Sequence, residues 1–238
     1  MGRFGGPLLL PDGMADPEEP YVASIDLAAL PKESTDLSLP PDGHLLLFAW
    51  IWDAYECCNH GQAIYVPAGT PVVERDRNAW NKDQAEGEEW RQEYQEVFGN
   101  FPQRELRART EPSLPNPYLA ELLEKDAGAA GFRHLDELER LWGSTGHGPV
   151  DDRYLRIGGH AENDLLKDIV HAAVHSAEEG TWGGGEPVSE AVDDWVMLAH
   201  WQAMDDLEEV DSVHWGIQRA DLAARRFDRV SCTVYWNP

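Results

Sequence analysis

Short apolar runs, separated by Gly and Pro, dominate the first third of the chain. A strand is predicted over 21–27, where the sequence reads YVASIDL. A second strand is predicted over 44–52, HLLLFAWIW, which is apolar on both faces as is typical of the middle of a sheet. GQAIYVP at 61–67 predicts the return strand, so the pair should form a hairpin across the loop 53–60.

The middle of the chain has helical spacing instead. Trp90, Tyr94, Val97 and Phe98 form a narrow apolar stripe in a very charged stretch. A second helix is predicted after Asn116, where a capping residue precedes a first-turn proline. A third short helix is predicted from the spacing of Leu135, Leu138, Leu141 and Trp142.

The last third returns to a mixed pattern. A helix is predicted over 163–179, and its periodicity places Asp164 and Asp168 with two histidines on the solvated face. Strand-like segments follow at 195–203 and 212–218. A short helix capped by Asp221 is predicted next. The chain then closes on RVSCTVYW, in which apolar and polar residues alternate as in a strand.

These patterns predict an α+β fold made of two similar, mostly antiparallel sheet units with a helical insert between them. The whole of 1–238 is predicted to be a single domain, made of an N-terminal sheet half, a helical insert and a C-terminal α+β half, over 1–75, 76–150 and 151–238. Each half opens with Arg, an apolar residue and two glycines, and each continues with two apolar strands. We therefore predict an internal duplication.

Charge and cysteine content narrow the classes of partner. The chain has 44 acidic residues against 19 Lys and Arg, a formal net charge of −25. Such a field repels nucleic acid and anionic membranes and favours a basic protein partner or plain solubility. The chain has 3 cysteines, an odd number with two of them adjacent, which does not predict a set of disulfide bonds. No apolar stretch predicts a signal sequence or a membrane span. The cytoplasm is the expected compartment.

Motifs at both ends of the chain resemble the bacterial YwqG-like family. The start carries RFGGPLLLP, SIDLAALP and DGHLLLFAW, and the end carries GIQRADLAARRFDRVSCTVYW. The resemblance covers about 3–75 and 153–238, and the C-terminal motif is the more specific. It implies an α+β fold with paired sheets, and it brings no established activity, cofactor or catalytic residue.

The repeated Arg-x-Gly-Gly is the first candidate site. Glycine pairs permit positive φ, successive backbone N–H groups in such turns can bind an anion, and Arg adds a forked donor. Two such turns could converge on one small anionic ligand. The alternative is that the glycines only make turns at the sheet and the arginines pair with carboxylates. The candidate residues are Arg3, Gly5, Gly6, Arg156, Gly158 and Gly159.

Three further constellations could bind a metal or act as nucleophiles. His171 and His175 have the i, i+4 spacing of helical zinc ligands but lie on the solvated side of the predicted helix. The acidic stretch 205–211 could hold a hard cation but lacks the alternating calcium pattern. Cys57, Cys58 and His60 lack a second cluster to complete a zinc shell. A solvated or structural role is favoured for each, so no metal and no cofactor are predicted.

Three functions follow as hypotheses, and whether the protein is an enzyme stays open. The first is a protein-binding adaptor, of the immunity type for example, that engages a basic partner through an acidic, Trp-rich surface. The second is an enzyme or receptor for a small anionic ligand at the paired Arg-x-Gly-Gly turns. The third is an acidic protein that mimics phosphates and competes with nucleic acid.

Overall fold

The computed structural model describes the two sheet regions of the chain and part of the connection between them. The described residues are 1–17, 19–31, 33–51, 59–76, 103–110, 113, 137, 140–141, 155–159, 165–183, 187–203 and 210–236.

The first sheet, sheet I, has five strands in the order β7-β1-β3-β4-β5, and every neighbouring pair is antiparallel. Two predictions are confirmed here: β4 lies inside the sheet, and β4 and β5 pair as a hairpin. Apolar residues on both sides of β4 are buried because each face of the sheet carries its own core. The strands are β1 Gly2–Phe4, β3 Tyr21–Asp26, β4 His44–Ala49, β5 Gly61–Val66 and β7 Arg104–Glu105.

A two-stranded antiparallel ribbon, β2 (Leu8–Pro11) with β6 (Val72–Arg75), supplies apolar side chains to the outer face of sheet I. Sequence reasoning did not identify either strand, because each is only four residues long. The core that the ribbon shares with sheet I contains Leu8, Leu10, Tyr21, Leu46, Phe48 and Val66.

The second sheet, sheet II, is a four-stranded antiparallel sheet in the order β11-β10-β9-β8. The helix α1 (Leu165–Glu178) packs on one face of it through Ile169, Val170 and Ala173. The strands are β8 Leu155–Ile157, β9 Trp195–Gln202, β10 Val210–Gln218 and β11 Val230–Trp236.

The short helix α2 (Arg219–Ala223) corrects the prediction that Asp221 caps a helix. Gln218 occupies the N-cap position, and Asp221 lies inside the helix. Its carboxylate accepts a hydrogen bond from Gln218 Nε2 and forms an ion pair with Arg229 at 3.0 Å. Both charged groups are buried, so the carboxylate neutralises an interior guanidinium instead of capping a helix.

The largest core lies between the two sheets. The rings of Phe4 and Trp201 meet edge to face, with centroids 4.9 Å apart. The Trp215 indole N–H donates across the core to the Phe48 carbonyl oxygen at 2.8 Å. At one corner Asn59 joins the sheets, because its side-chain oxygen accepts from the Cys232 backbone N–H.

The protein therefore has an α+β fold built mostly from antiparallel sheets. Neither described helix has the length and apolar character needed to cross a membrane. Of the predicted helical insert, most residues lie outside those described, Glu137, Arg140 and Leu141 are helical, and β7 is a strand that was not anticipated. The internal duplication and the three-part division of the domain stay predictions.

Candidate functional site

A row of polar side chains crosses the outer face of sheet II. Arg156, His200, His214 and Thr233 are register partners on the four successive strands β8, β9, β10 and β11. Successive side chains of a strand point to opposite faces, and the neighbours of these residues pack in the core between the sheets. The row therefore faces the side of sheet II on which α1 packs.

The two histidines stack at the centre of this row. Their ring centroids are 4.4 Å apart at an interplanar angle of 37°. His200 is 2% exposed and His214 is 1% exposed. His214 Nε2 is hydrogen-bonded to Ser212 Oγ at 2.8 Å, whereas His214 Nδ1 and Thr233 Oγ1 are buried without a hydrogen-bond partner among the described residues. The row thus contains polar atoms that the described part of the fold does not satisfy.

Burial keeps both imidazoles neutral. It lowers the pKa of His200 to about 4, helped by the positive charge of Arg156 and opposed by a hydrogen bond with Gln202. Burial also lowers the pKa of His214 well below its ordinary value, with a further contribution from His200. At neutral pH the pair is therefore a neutral donor and acceptor surface beside one guanidinium.

A second polar row lies next to the first, formed by Gln202, Ser212 and Tyr235 in register. The Tyr235 hydroxyl donates a hydrogen bond to the carboxylate of Asp168 on α1, and the Tyr235 ring stands edge-on to His214 at 5.4 Å. The periodicity had placed Asp168 on the solvated face of its helix, and this is wrong. The helix instead turns its first carboxylate toward sheet II.

The two Arg-x-Gly-Gly turns share two backbone features, positive φ at both glycines and a hydrogen bond from the first glycine to a strand. All four glycines have positive φ, as the sequence suggested. The first glycine of each pair donates its N–H into the adjoining strand, Gly5 to the Val22 oxygen at 2.7 Å and Gly158 to the Leu198 oxygen at 3.1 Å. Those N–H groups are occupied by the sheet, which leaves fewer of them for an anion than the sequence hypothesis assumed.

The arginine of each turn folds over its own second glycine. A Cβ on Gly6 would lie 3.2 Å from Arg3 Nε, and one on Gly159 would lie 2.8 Å from Ser113 Oγ and 3.4 Å from Arg156 Cδ. The second glycine is thus favoured by its positive φ in both turns, and at Gly159 the side chain of Ser113 also leaves no room for a Cβ.

The structure does not bring the two arginines together. Arg3 is exposed and lies next to Phe4, which packs in the core between the sheets, so Arg3 points to the outer side of sheet I. Arg156 points to the outer side of sheet II and is half-buried beside His200. Of the two turns, only the one with Gly158 and Gly159 therefore adjoins the histidine pair.

The remaining sequence candidates lie elsewhere. His171 is exposed, and His175 Nε2 is 3.4 Å from the Glu179 carboxylate. Within the described residues, no group of three or more His, Cys, Asp or Glu is placed to hold a metal ion. Cys57, Cys58 and most of the acidic stretch lie outside the described residues, and His60 is buried at the sheet corner.

Sequence reasoning missed the histidine pair, although a signal was present. A His-Trp dipeptide occurs in each of two successive predicted strands, at His200-Trp201 and His214-Trp215. If the large apolar tryptophans face the core, alternation directs both histidines to the opposite face. Antiparallel pairing of the two strands can then place them side by side, as it does here.

Comparison with known proteins gives a family and no activity. The family model for DUF1963, a domain of unknown function, matches residues 2–235. No curated protein matches the chain.

Proposed function

The chain belongs to DUF1963, and on that premise we propose that it binds a small anionic ligand at the outer face of sheet II. Arg156 is the anion partner, and Gly158 and Gly159 shape the adjoining turn. His200 and His214, which are neutral in the ligand-free protein, are hydrogen-bonding partners. This keeps the small anionic ligand of the second sequence hypothesis and limits it to one of the two turns.

The observation that supports this proposal is the buried, unsatisfied polarity of the row. His214 Nδ1 and Thr233 Oγ1 have no partner among the described residues. A buried polar group without a hydrogen bond costs about 1–3 kcal/mol. Because folded proteins keep few such groups, two of them in one register row favour a function in which a ligand supplies the missing partners.

The charge of the site supports an anion as that ligand. Arg156 lies opposite His200, and its positive charge acts on that ring. Arg156 is half-buried, so its guanidinium places a positive charge next to two imidazoles that burial keeps neutral. A guanidinium binds carboxylate or phosphate oxygens through two parallel N–H groups, which gives orientation as well as affinity.

The test uses the matched arginines of the two turns. Wild type, Arg156→Gln and Arg3→Gln are titrated with a panel of small carboxylates, phosphate esters and nucleotides at constant ionic strength, and binding is measured by calorimetry. We expect a ligand to bind wild type and Arg3→Gln alike, and to bind Arg156→Gln at least about tenfold more weakly, the equivalent of one charge-assisted hydrogen bond. Equal loss in both variants, or no binding from the panel, would refute the proposal.

A second candidate function, a protein-binding adaptor or immunity-type inhibitor, is favoured by the net charge of −25. Long-range attraction to a basic partner accelerates association and weakens steeply with salt. Its test is a variant with Asp205, Asp206, Glu208 and Glu209 changed to Asn and Gln. Capture of a basic protein at low salt, lost both in this variant and at moderate salt, supports the adaptor; capture that the variant retains does not.

The narrower YwqG-like assignment, with its bacterial source and cytoplasmic compartment, also belongs among the proposals. It is supported by the end motifs over 3–75 and 153–238, which the matched region 2–235 contains except for the last three residues. Binding of a small ligand and binding of a protein are both compatible with this assignment, so the ligand titration and the protein-capture experiment above decide between them.

A further inference from the structure

The arrangement of the histidine pair allows one of the two neutral imidazoles to accept an additional proton, but not both. The stacked rings are 4.4 Å apart, and two imidazolium charges at that distance repel strongly. His214 Nδ1 has no hydrogen-bond partner among the described residues, so one ring nitrogen is available either as a lone pair or as an N–H donor. The pair is therefore a single proton-binding unit inside the proposed ligand site.

Among the residues that the structure describes, few charged groups face this unit. From β8 it is faced by Arg156, which opposes protonation of His200. From β11 it is faced by Tyr235, whose hydroxyl is directed to Asp168 of α1. The neighbouring α1 residues Lys167 and His171 are exposed. Within the described part of the chain, the charged groups that act on the pair are thus the Arg156 guanidinium close by and the Asp168 carboxylate behind Tyr235.

An anion bound beside Arg156 makes protonation of the histidine pair more favourable. It neutralises the guanidinium that disfavours a positive ring, and it attracts a proton directly. Once protonated, an imidazole has N–H donors on both nitrogens, so it can donate to a ligand oxygen that a lone pair would repel. The step forms one N–H bond with a proton from solvent, and nothing is oxidised or reduced.

We infer that an oxyanion bound beside Arg156 is taken up together with one proton, which the His200–His214 pair accepts. This inference rests on the proposed function and deepens it: the ligand class is an acid bound as its anion plus a proton. By thermodynamic reciprocity, acidic conditions strengthen ligand binding as much as the ligand favours protonation. The expected effect is a dissociation constant that falls by up to about tenfold per pH unit below neutrality.

Sulfate is the probe, because its charge stays constant from about pH 8 to about pH 5 and any pH dependence then belongs to the protein. Sulfate is titrated calorimetrically into the full chain at constant ionic strength, across this range and in two buffers of different ionisation enthalpy. We expect the affinity to rise as pH falls, and the buffer difference to report uptake approaching one proton per sulfate. The proton count comes from wild type alone, so it does not depend on whether a variant folds.

Three variants test which side chains take up the proton that accompanies sulfate binding. His200→Gln and His214→Gln should each reduce the proton uptake and flatten the pH dependence, whereas His171→Gln on the exposed side of α1 should change neither. Sulfate binding with the same affinity at every pH would overturn the inference and leave the proposed function intact. Absence of sulfate binding at every pH would also overturn it, and the proposed function falls only if the organic anions fail as well. If His171→Gln flattened the pH dependence of sulfate affinity equally, the proton could not be assigned to the His200–His214 pair.

Discussion

Changing His200 to glutamine should make the protein lose less stability when the pH falls into the mildly acidic range. His200 lies buried in sheet II, where Arg156 opposes its protonation. In the unfolded chain the imidazole is in water and binds a proton near its ordinary pKa. Folding at a pH below that value therefore requires the proton to be released.

The size of the effect follows from the two pKa values. The ordinary pKa is 6.5 and the pKa in the folded protein is about 4. Between these values the unfolded state binds more protons, so stability rises with pH across the window and is lost as pH falls from about 6.5 to about 4. At about 1.4 kcal/mol per pH unit, His200 accounts for a loss of about 2 kcal/mol at about pH 5 and about 3 kcal/mol at the lower end of the window.

Urea unfolding followed by tryptophan fluorescence measures this loss. The free energy of unfolding is compared at about pH 7, 6 and 5 in chloride buffers, so that no sulfate or phosphate reaches Arg156. The quantity of interest is the change with pH within each variant, because the substitution also alters stability at neutral pH. His200→Gln should lose about 2 kcal/mol less than wild type between about pH 7 and 5, and His171→Gln should match wild type. Parallel profiles for His200→Gln and wild type would refute the reasoning.

Two further outcomes test the packing, and a third tests whether stability depends on a metal. Gly216→Ala places a Cβ 2.6 Å from Ile169 Cγ2, so α1 must shift and the free energy of unfolding should fall by about 1–3 kcal/mol; an unchanged midpoint in urea would contradict this contact. Trp215→Phe removes the hydrogen bond to the Phe48 carbonyl oxygen and opens a cavity, so the free energy of unfolding should fall by about 3 kcal/mol. The control Trp182→Phe should cost less, because the Trp182 indole N–H has no hydrogen-bond partner among the described residues. Thermal melts with and without a strong chelator should coincide, since the described residues contain no metal-binding group of three or more ligands; a large decrease on chelation would contradict this.

The longer strands of both sheets could be predicted because each contains several residues of a simple apolar pattern. The apolar runs at 21–27 and 44–52 and the alternation at the C-terminus each correspond to an observed strand. Short strands such as β2 and β7 were not readable, since two to four residues contain too little of a period. Asp221 was misassigned because a capping residue and a buried ion-pair carboxylate look identical until Arg229 is seen beside it.

The candidate site was harder to predict, since it depends on register. The sequence identified Arg156 and its glycines, but the partner of Arg156 is His200, which lies 44 positions later and meets it only across the β8–β9 pairing. Which residue of one strand lies opposite a given residue of another is set by tertiary structure and bulges. The pairing of Tyr235 with Asp168 depends on how α1 lies on sheet II, which periodicity alone does not give.

The contact between Asn59 and Cys232 has a consequence for how the chain is made. These residues are 173 positions apart, and the core between the sheets needs β9, β10 and β11 as well as β3 and β4. During synthesis β3 and β4 emerge before β9, β10 and β11, so the face of sheet I that packs on sheet II lacks its partner until those later strands have left the ribosome. The core therefore depends on contacts between distant segments, which are typical of slow folding and leave apolar surface exposed in the nascent chain.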